Sequence, residues 1–205
     1  MSSSGLVDCH PRVWLIVILG LDPGILSFIQ TKSFSYFLFY KPRIRGYHMF
    51  HMGMDAKIIN AFLTEGINTF QSMFNIGPTN KEPHLLDIHA GHPWEISGLL
   101  GVTGSIKGIV AFRLHKILAT KMLELSGLQC KPEDYEDMAI GLVSEFTNII
   151  SGHAVTALPD YNLDISPPFC VMGHNHMIAW PKNFPVIAIP FVTPYGPFEV
   201  DVCFK

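Results

Sequence analysis

From residue 54 onward, apolar residues recur at Ile58, Ile59, Phe62, Leu63, Ile67, Phe70, Met73 and Phe74. This i, i+3, i+4 spacing, with Asp55 at its start, predicts an amphipathic helix over 55–74, ended by Gly77-Pro78-Thr79-Asn80. The period then shortens. Residues 84–90 alternate as a short strand, and 94–102 and 106–114 are β-type runs on either side of Thr103-Gly104-Ser105, a hairpin signal. A second helix is expected over 115–125, stopped by Ser126-Gly127. A third has strong start chemistry, because Pro132 sits early and Glu133, Asp134, Glu136 and Asp137 complement the positive end of the helix dipole. It is expected to run to residue 158, before Pro159. Strands return at 188–192 and 198–204, joined by 193–197. Elements in blocks, without strict βα alternation, indicate an α+β fold with an antiparallel sheet packed against long helices.

The preceding residues are a different kind of sequence. Residues 13–21 form a nine-residue apolar run closed by Asp22-Pro23-Gly24. A membrane-spanning helix needs about 20 such residues, and extending the run carries Asp22 and Pro23 into its middle, which is costly. No Ala-x-Ala cleavage pattern follows. Residues 1–53 carry a net charge of +3 and residues 54–205 a net charge of −6. Met49, Met52 and Met54 cluster ahead of the first helix, and Met54-Asp55-Ala56-Lys57 reads as a natural start. The expected organisation is a leader over 1–53, unstructured or not native, before one domain over 54–205. A membrane-associated anchor and a structural extension are the alternatives for the leader; neither carries a functional assignment, and no membrane contact is expected.

Composition narrows the function classes. Charged residues are 15% of the chain against about 25% in ordinary soluble domains, and 48% of residues are hydrophobic, so there is ample material for a core. A net charge of −3 argues against a nucleic-acid binder. Cys9, Cys130, Cys170 and Cys203 have no C-x-x-C spacing, and as free thiols they fit a reducing cytoplasm. Among the histidines, His89 with His92 and His174 with His176 invite a metal hypothesis. On a strand His174 and His176 share a face, but no carboxylate lies within five residues of them, so surface or turn histidines are the better reading and no metal site is expected. There is no G-x-S-x-G elbow, Walker A loop or dinucleotide fingerprint.

What remains is the third helix. At 100° per residue, Leu142, Val143, Phe146, Ile149 and Ile150 form an apolar stripe for the core. The opposite stripe carries Gly141, Ser144, Glu145, Asn148 and Gly152, with Glu145 and Asn148 neighbours at i, i+3. Small residues flank that pair, so a partner surface can approach closely. Spacing alone does not separate this from an ordinary solvated face.

E-x-x-N followed by Ile-x-x-Gly on a helix resembles the signature of the CheC/CheX/FliY family of chemotaxis phosphatases. The resemblance extends over 54–205, through Ile106-Lys-Gly-Ile-Val-Ala-Phe, the helix with Ala119, Met122 and Leu123, and the run from Pro185 to Val200. A single E-x-x-N resembles the CheX branch. Four positions before the Glu, where the family often has a polar or acidic residue, this chain has Gly141. The resemblance implies a cytoplasmic phosphatase acting on the phosphoaspartate of a CheY-type response regulator, with Asn148 orienting the attacking water and Glu145 docking the partner. Ser144, Gly141 and Gly152 would then line the docking face. It implies no cofactor in this chain, Mg2+ on the regulator, and a homodimer, often with sheets joined edge to edge; the apolar run 186–192 needs cover, and the sequence names no interface residue. The alternative is a non-catalytic docking or scaffold module, against which the presence of both Glu145 and Asn148 weighs.

Overall fold

The structure is a computed structural model, which describes residues 54–128 and 131–205. The expected leader lies outside the described residues. Helix α1 (Ala56–Phe74) is capped by Asp55, whose Oδ1 accepts the Lys57 N–H at 2.9 Å, and it ends at Asn75 in the left-handed region. Two short strands follow, β1 (Thr79–Asn80) and β2 (His84–Leu85), and then the long hairpin of β3 (Ile96–Gly104) and β4 (Gly108–Leu114). Helix α2 (Lys116–Leu125) leads to a 3-10 turn (Pro132–Asp134) and α3 (Tyr135–Thr156). Strands β5 (Leu163–Ile165), β6 (Phe169–Met172), β7 (Ile187–Thr193) and β8 (Gly196–Phe204) complete the body.

The strands form one antiparallel sheet in the order β1-β7-β8-β4-β3-β5, with β2 also on β7 and β6 also on β3. The α+β reading is therefore correct. Four details differ from expectation. Thr79–Asn80 pairs with β7 instead of only turning, and the strand expected over 84–90 is reduced to β2. Strands β5 and β6 were not anticipated. The run 186–192 is no open edge, because β1 and β2 pair along the outer side of β7.

Strand alternation sorts the side chains into two layers. Ile96, Leu100, Val102, Val110, Phe112, Leu114, Phe198, Val200 and Val202 face the helices. There Phe70 of α1 stacks on Phe198 at 4.3 Å between ring centroids and meets Phe146 of α3 edge-on at 4.8 Å. Each fully buried Phe of this kind contributes about 1.5–3 kcal/mol. On the other face, Leu99, Ala111, Val186, Cys203 and Trp180 make a smaller apolar cluster. Arg113, 2% exposed, lies there with its Nη2 2.6 Å from Glu199 Oε1 and its Nε 2.5 Å from Asp201 Oδ2. Among the described residues no helix is long and apolar enough to cross a membrane.

Candidate active site

Helix α3 is built to present one polar face from a rigid base. Glu136 and Asp137 occupy its first turn and His153 its last, both favourable to the dipole. Its buried side holds Ala139, Val143, Phe146, Thr147, Ile150, Ser151 and Ala154. The helix is held laterally by α1, where Phe70 and Phe74 lie against Phe146 and Glu65 Oε2 is 3.7 Å from His153 Nδ1.

The expected apolar stripe is partly revised. Val143, Phe146 and Ile150 are buried and Leu142 packs against the core, but Ile149 is only half-buried. It lies beside Glu145 on the outer side of the helix instead of in the core. Thr147 and Ser151 take the remaining buried positions. Thr147 satisfies its hydroxyl by donating to the Val143 carbonyl at 2.6 Å, whereas Ser151 Oγ has no hydrogen-bond partner. On the helical wheel Thr147 stands about 40° and Ser151 about 80° beyond Val143, outside the expected stripe, so the apolar pattern gave no sign of their burial. A small hydroxyl tolerates burial when it can bond one turn back along its own helix.

On the outward side Gly141 and Glu145 are exposed, and Ser144, Asn148 and Gly152 are half-buried. The five residues singled out from the sequence therefore share one face. Among the described residues neither Glu145 nor Asn148 has a hydrogen-bond or ion-pair partner within the chain. A carboxylate and an amide stand adjacent, unengaged, on a helix that the core locks in place.

The concavities lie elsewhere. A cavity of about 280 Å³ on the opposite face of the sheet is lined by Leu86, Ile88, His92, Arg113 and Trp180. A groove between the first half of α1 and the residues following α3 is lined by Lys57, Thr64, Glu65, Leu158 and Asp160. The Glu145–Asn148 pair stands on an exposed helix face, a shape that another macromolecule can cover.

The histidines pair differently from their sequence spacing. His174 and His176 are in a turn, not a strand, with Asn175 at φ 59° between them. His176 is half-buried, its Nε2 2.7 Å from Ser97 Oγ and its Nδ1 2.8 Å from the Gly173 carbonyl, while His174 is exposed near Glu95. His92 meets His176 edge-on with centroids 5.0 Å apart, and burial pushes its imidazole below the usual range. His89 sits in an exposed turn. Among the described residues no group of three or more His, Cys, Asp or Glu is placed to hold a metal ion. Cys170 and Cys203 are free thiols, pushed by burial to about 12 and about 11.

Comparison with known proteins places these features. The family model for chemotaxis phosphatase CheX matches residues 96–192, from the first residue of β3 to the end of β7. The CheY-P phosphatase CheX of Thermotoga maritima is 26% identical over 136 residues, covering 65% of this chain and 85% of that protein. A CheC-like superfamily protein from Shewanella sp. PV-4 superposes with a TM-score of 0.66 at 31% identity, over 74% of this chain and 99% of that one. The chemotaxis protein CheX of Desulfovibrio desulfuricans gives 0.67 at 29% identity, over 73% of this chain and 99% of the other. With the α+β architecture, the single E-x-x-N helix and these matches in agreement, the chain belongs to the CheC/CheX family of chemotaxis phosphatases.

Proposed function

We propose that this chain is a phosphatase that removes the phosphoryl group from the phosphoaspartate of a CheY-type response regulator. The observation that carries the reading is the unengaged Glu145–Asn148 pair on the outward face of α3, in a chain whose Thermotoga maritima relative is named a CheY-P phosphatase. An acyl phosphate is already reactive, so catalysis needs mainly a placed water and charge neutralisation. Asn148 reaches into the regulator's site. Its carbonyl accepts a hydrogen bond from the water while its NH2 donates to a neighbouring acceptor. The water oxygen attacks phosphorus, the bond from phosphorus to the aspartyl oxygen breaks with its electrons, and the water's proton leaves with inorganic phosphate. Glu145 pairs with a lysine of the regulator beside the phosphoaspartate, and Gly141, Ser144 and Gly152 let the two surfaces close. Mg2+ belongs to the regulator, and this chain contributes no ligand to it. The site of action is the cytoplasm, consistent with the two free thiols among the described residues.

The test is the decay of a phosphorylated CheY-type regulator in Mg2+, alone and with the full chain, beside Asn148→Ala and Glu145→Ala. Asn148→Ala is expected to lower turnover about 10²–10³-fold, the usual loss for one well-placed polar group in a pre-organised site, with the fold intact. Glu145→Ala is expected to weaken association with the phosphorylated regulator, most at low ionic strength. Wild-type decay unaccelerated against several regulators, by a folded chain, would leave a docking module as the function.

A further inference from the structure

Helix α3 lies close against the sheet over Gly98 of β3. A Cβ at that position would stand 2.1 Å from Thr147 Oγ1 and 3.1 Å from both the carbonyl oxygen and Cγ1 of Val143. These atoms belong to one helical turn, because the Thr147 hydroxyl is itself bonded to the Val143 carbonyl at 2.6 Å. The turn they close carries Glu145, and Asn148 is the next residue along. The strand has no room to retreat: Gly98 is paired with Phe112 of β4 on one side and Cys170 of β6 on the other. Anything added at Gly98 therefore pushes on α3.

Movement of α3 there would not be a uniform lift. On the α1 side the helix is fixed by Phe146 against Phe70 and Phe74. Toward its end it is fixed by the buried Ile150 and Ala154 and by the His153–Glu65 pair. A push applied from the sheet side at residues 143–147, on the turn that Phe146 holds against α1 and ahead of the anchors toward the helix end, tilts the segment bearing Glu145 and Asn148 relative to α1 and the β5–β6 side of the sheet. A partner that rests on those fixed neighbours then receives Asn148 in the wrong place.

We infer that Gly98 is a positioning residue for the phosphatase site: the missing side chain at Gly98 sets the seat of α3, and through Thr147 it sets the aim of Asn148. This rests on the phosphatase reading above and extends it to a residue on another element that touches neither the regulator nor the phosphoryl group. A displacement near 1 Å can lower turnover about 100-fold while docking contacts persist.

The experiment is steady-state dephosphorylation of a CheY-type regulator by the full chain, comparing wild type, Gly98→Ala, Thr147→Ala and the double variant. Gly98→Ala is expected to lower kcat more than tenfold, with KM changed less than threefold and circular dichroism unchanged. Thr147→Ala removes the 2.1 Å neighbour. The double variant is expected to recover to within threefold of Thr147→Ala, since the two 3.1 Å contacts need only a few tenths of an ångström. A merely structural role would lower stability and leave kcat alone. Wild-type kcat in a folded Gly98→Ala would mean that the Thr147 side chain rotated away while α3 stayed, and this overturns the inference. So does a double variant as impaired as the single one. Should Gly98→Ala not fold, Thr147→Val presses the same contact from the helix side; it must lower kcat at constant KM, and a wild-type kcat there also overturns the inference. A wild type inactive against every regulator removes the phosphatase reading and this inference together, whereas an active wild type with unimpaired variants removes the inference alone.

Discussion

Asp201 is fully buried in the middle of the sheet, with Arg113 Nε 2.5 Å from Oδ2. The contact is close but poorly aligned: neither carboxylate oxygen of Asp201 makes a hydrogen bond of good geometry, whereas Glu199 takes the well-formed one from Arg113 Nη2 at 2.6 Å. Burial drives the Asp201 carboxyl well above the usual carboxylate range, and Arg113 opposes this only in part. Asp201 is the member of the cluster whose neutral form burial favours. Its linkage sign is opposite to that of an ordinary salt-bridged aspartate. The folded chain keeps a proton that the unfolded chain releases above about pH 4, so this group's contribution to stability falls as pH rises. Asp201→Asn removes that dependence. Urea unfolding at pH 5 and pH 8 is expected to show the variant gaining on wild type with rising pH, by at most about 1.4 kcal/mol per unit. His92 faces the same cluster, its imidazole pushed down mainly by burial, and is unchanged in the variant. A variant that loses more than 2 kcal/mol at pH 8 would show that the native carboxylate is ionised. No motif in the sequence links Arg113, Glu199 and Asp201; only the pairing of β4 with β8 brings them together.

At the scale of the element, α3 carries two glycines that the fold does not require. A Cβ on Gly141 meets nothing within 4 Å, and one on Gly152 meets only Ile165 Cδ1 at 3.7 Å. Glycine inside a helix costs about 0.5–1 kcal/mol relative to alanine, so an external reason for smallness at these positions is indicated. Gly152→Ala is expected to stabilise the chain by about that amount in thermal unfolding while raising KM for the regulator severalfold, because the methyl stands in the docking face. An unchanged KM would show that the regulator does not approach there. The outline of α3 was legible because its start chemistry at Pro132, Glu133 and Asp137 and its stop at Pro159 are local. The division of its faces was less so, since Thr147 and Ser151 are buried and Ile149 is not. Tertiary contact decides that: Thr147 fits against the sheet only because residue 98, 49 positions earlier, is glycine. Strands β5 and β6 escaped notice for a related reason, being three and four residues long around Pro167-Pro168 and joined to the sheet through β3 alone.

For the whole molecule, the two sides of the sheet end differently, and this bears on assembly. Beyond β7 lie β1 and β2, each two residues long with exposed side chains, a blunt finish that resists pairing. On the other side β6 pairs with β3, and among the described strands nothing covers its outer edge. β6 is also apolar toward both layers: Cys170 and Met172 pack on the helix-side core, Phe169 and Val171 on the opposite cluster. A half-buried, unblunted edge of this kind recruits another strand, and we propose that the recruit is β6 of a second copy, extending one sheet through a two-fold axis. The expected edge-to-edge homodimer, for which the sequence named no interface, is thereby given 169–172 as its edge, whereas 186–192 is covered within the chain by β1 and β2. Light scattering on the purified full chain is expected to give twice the chain mass. Phe169→Lys with Val171→Lys sets like charges against each other across the axis, and is expected to give monomers at low ionic strength that re-associate as salt screens the charges. The phosphatase face should survive this change, because Glu145 and Asn148 stand on α3, outside the paired edge. A wild-type chain that stays monomeric at 100 μM, on the order of the concentrations where weak interfaces form, would mean that β6 is covered from within its own chain, and the dimer would then have to be abandoned.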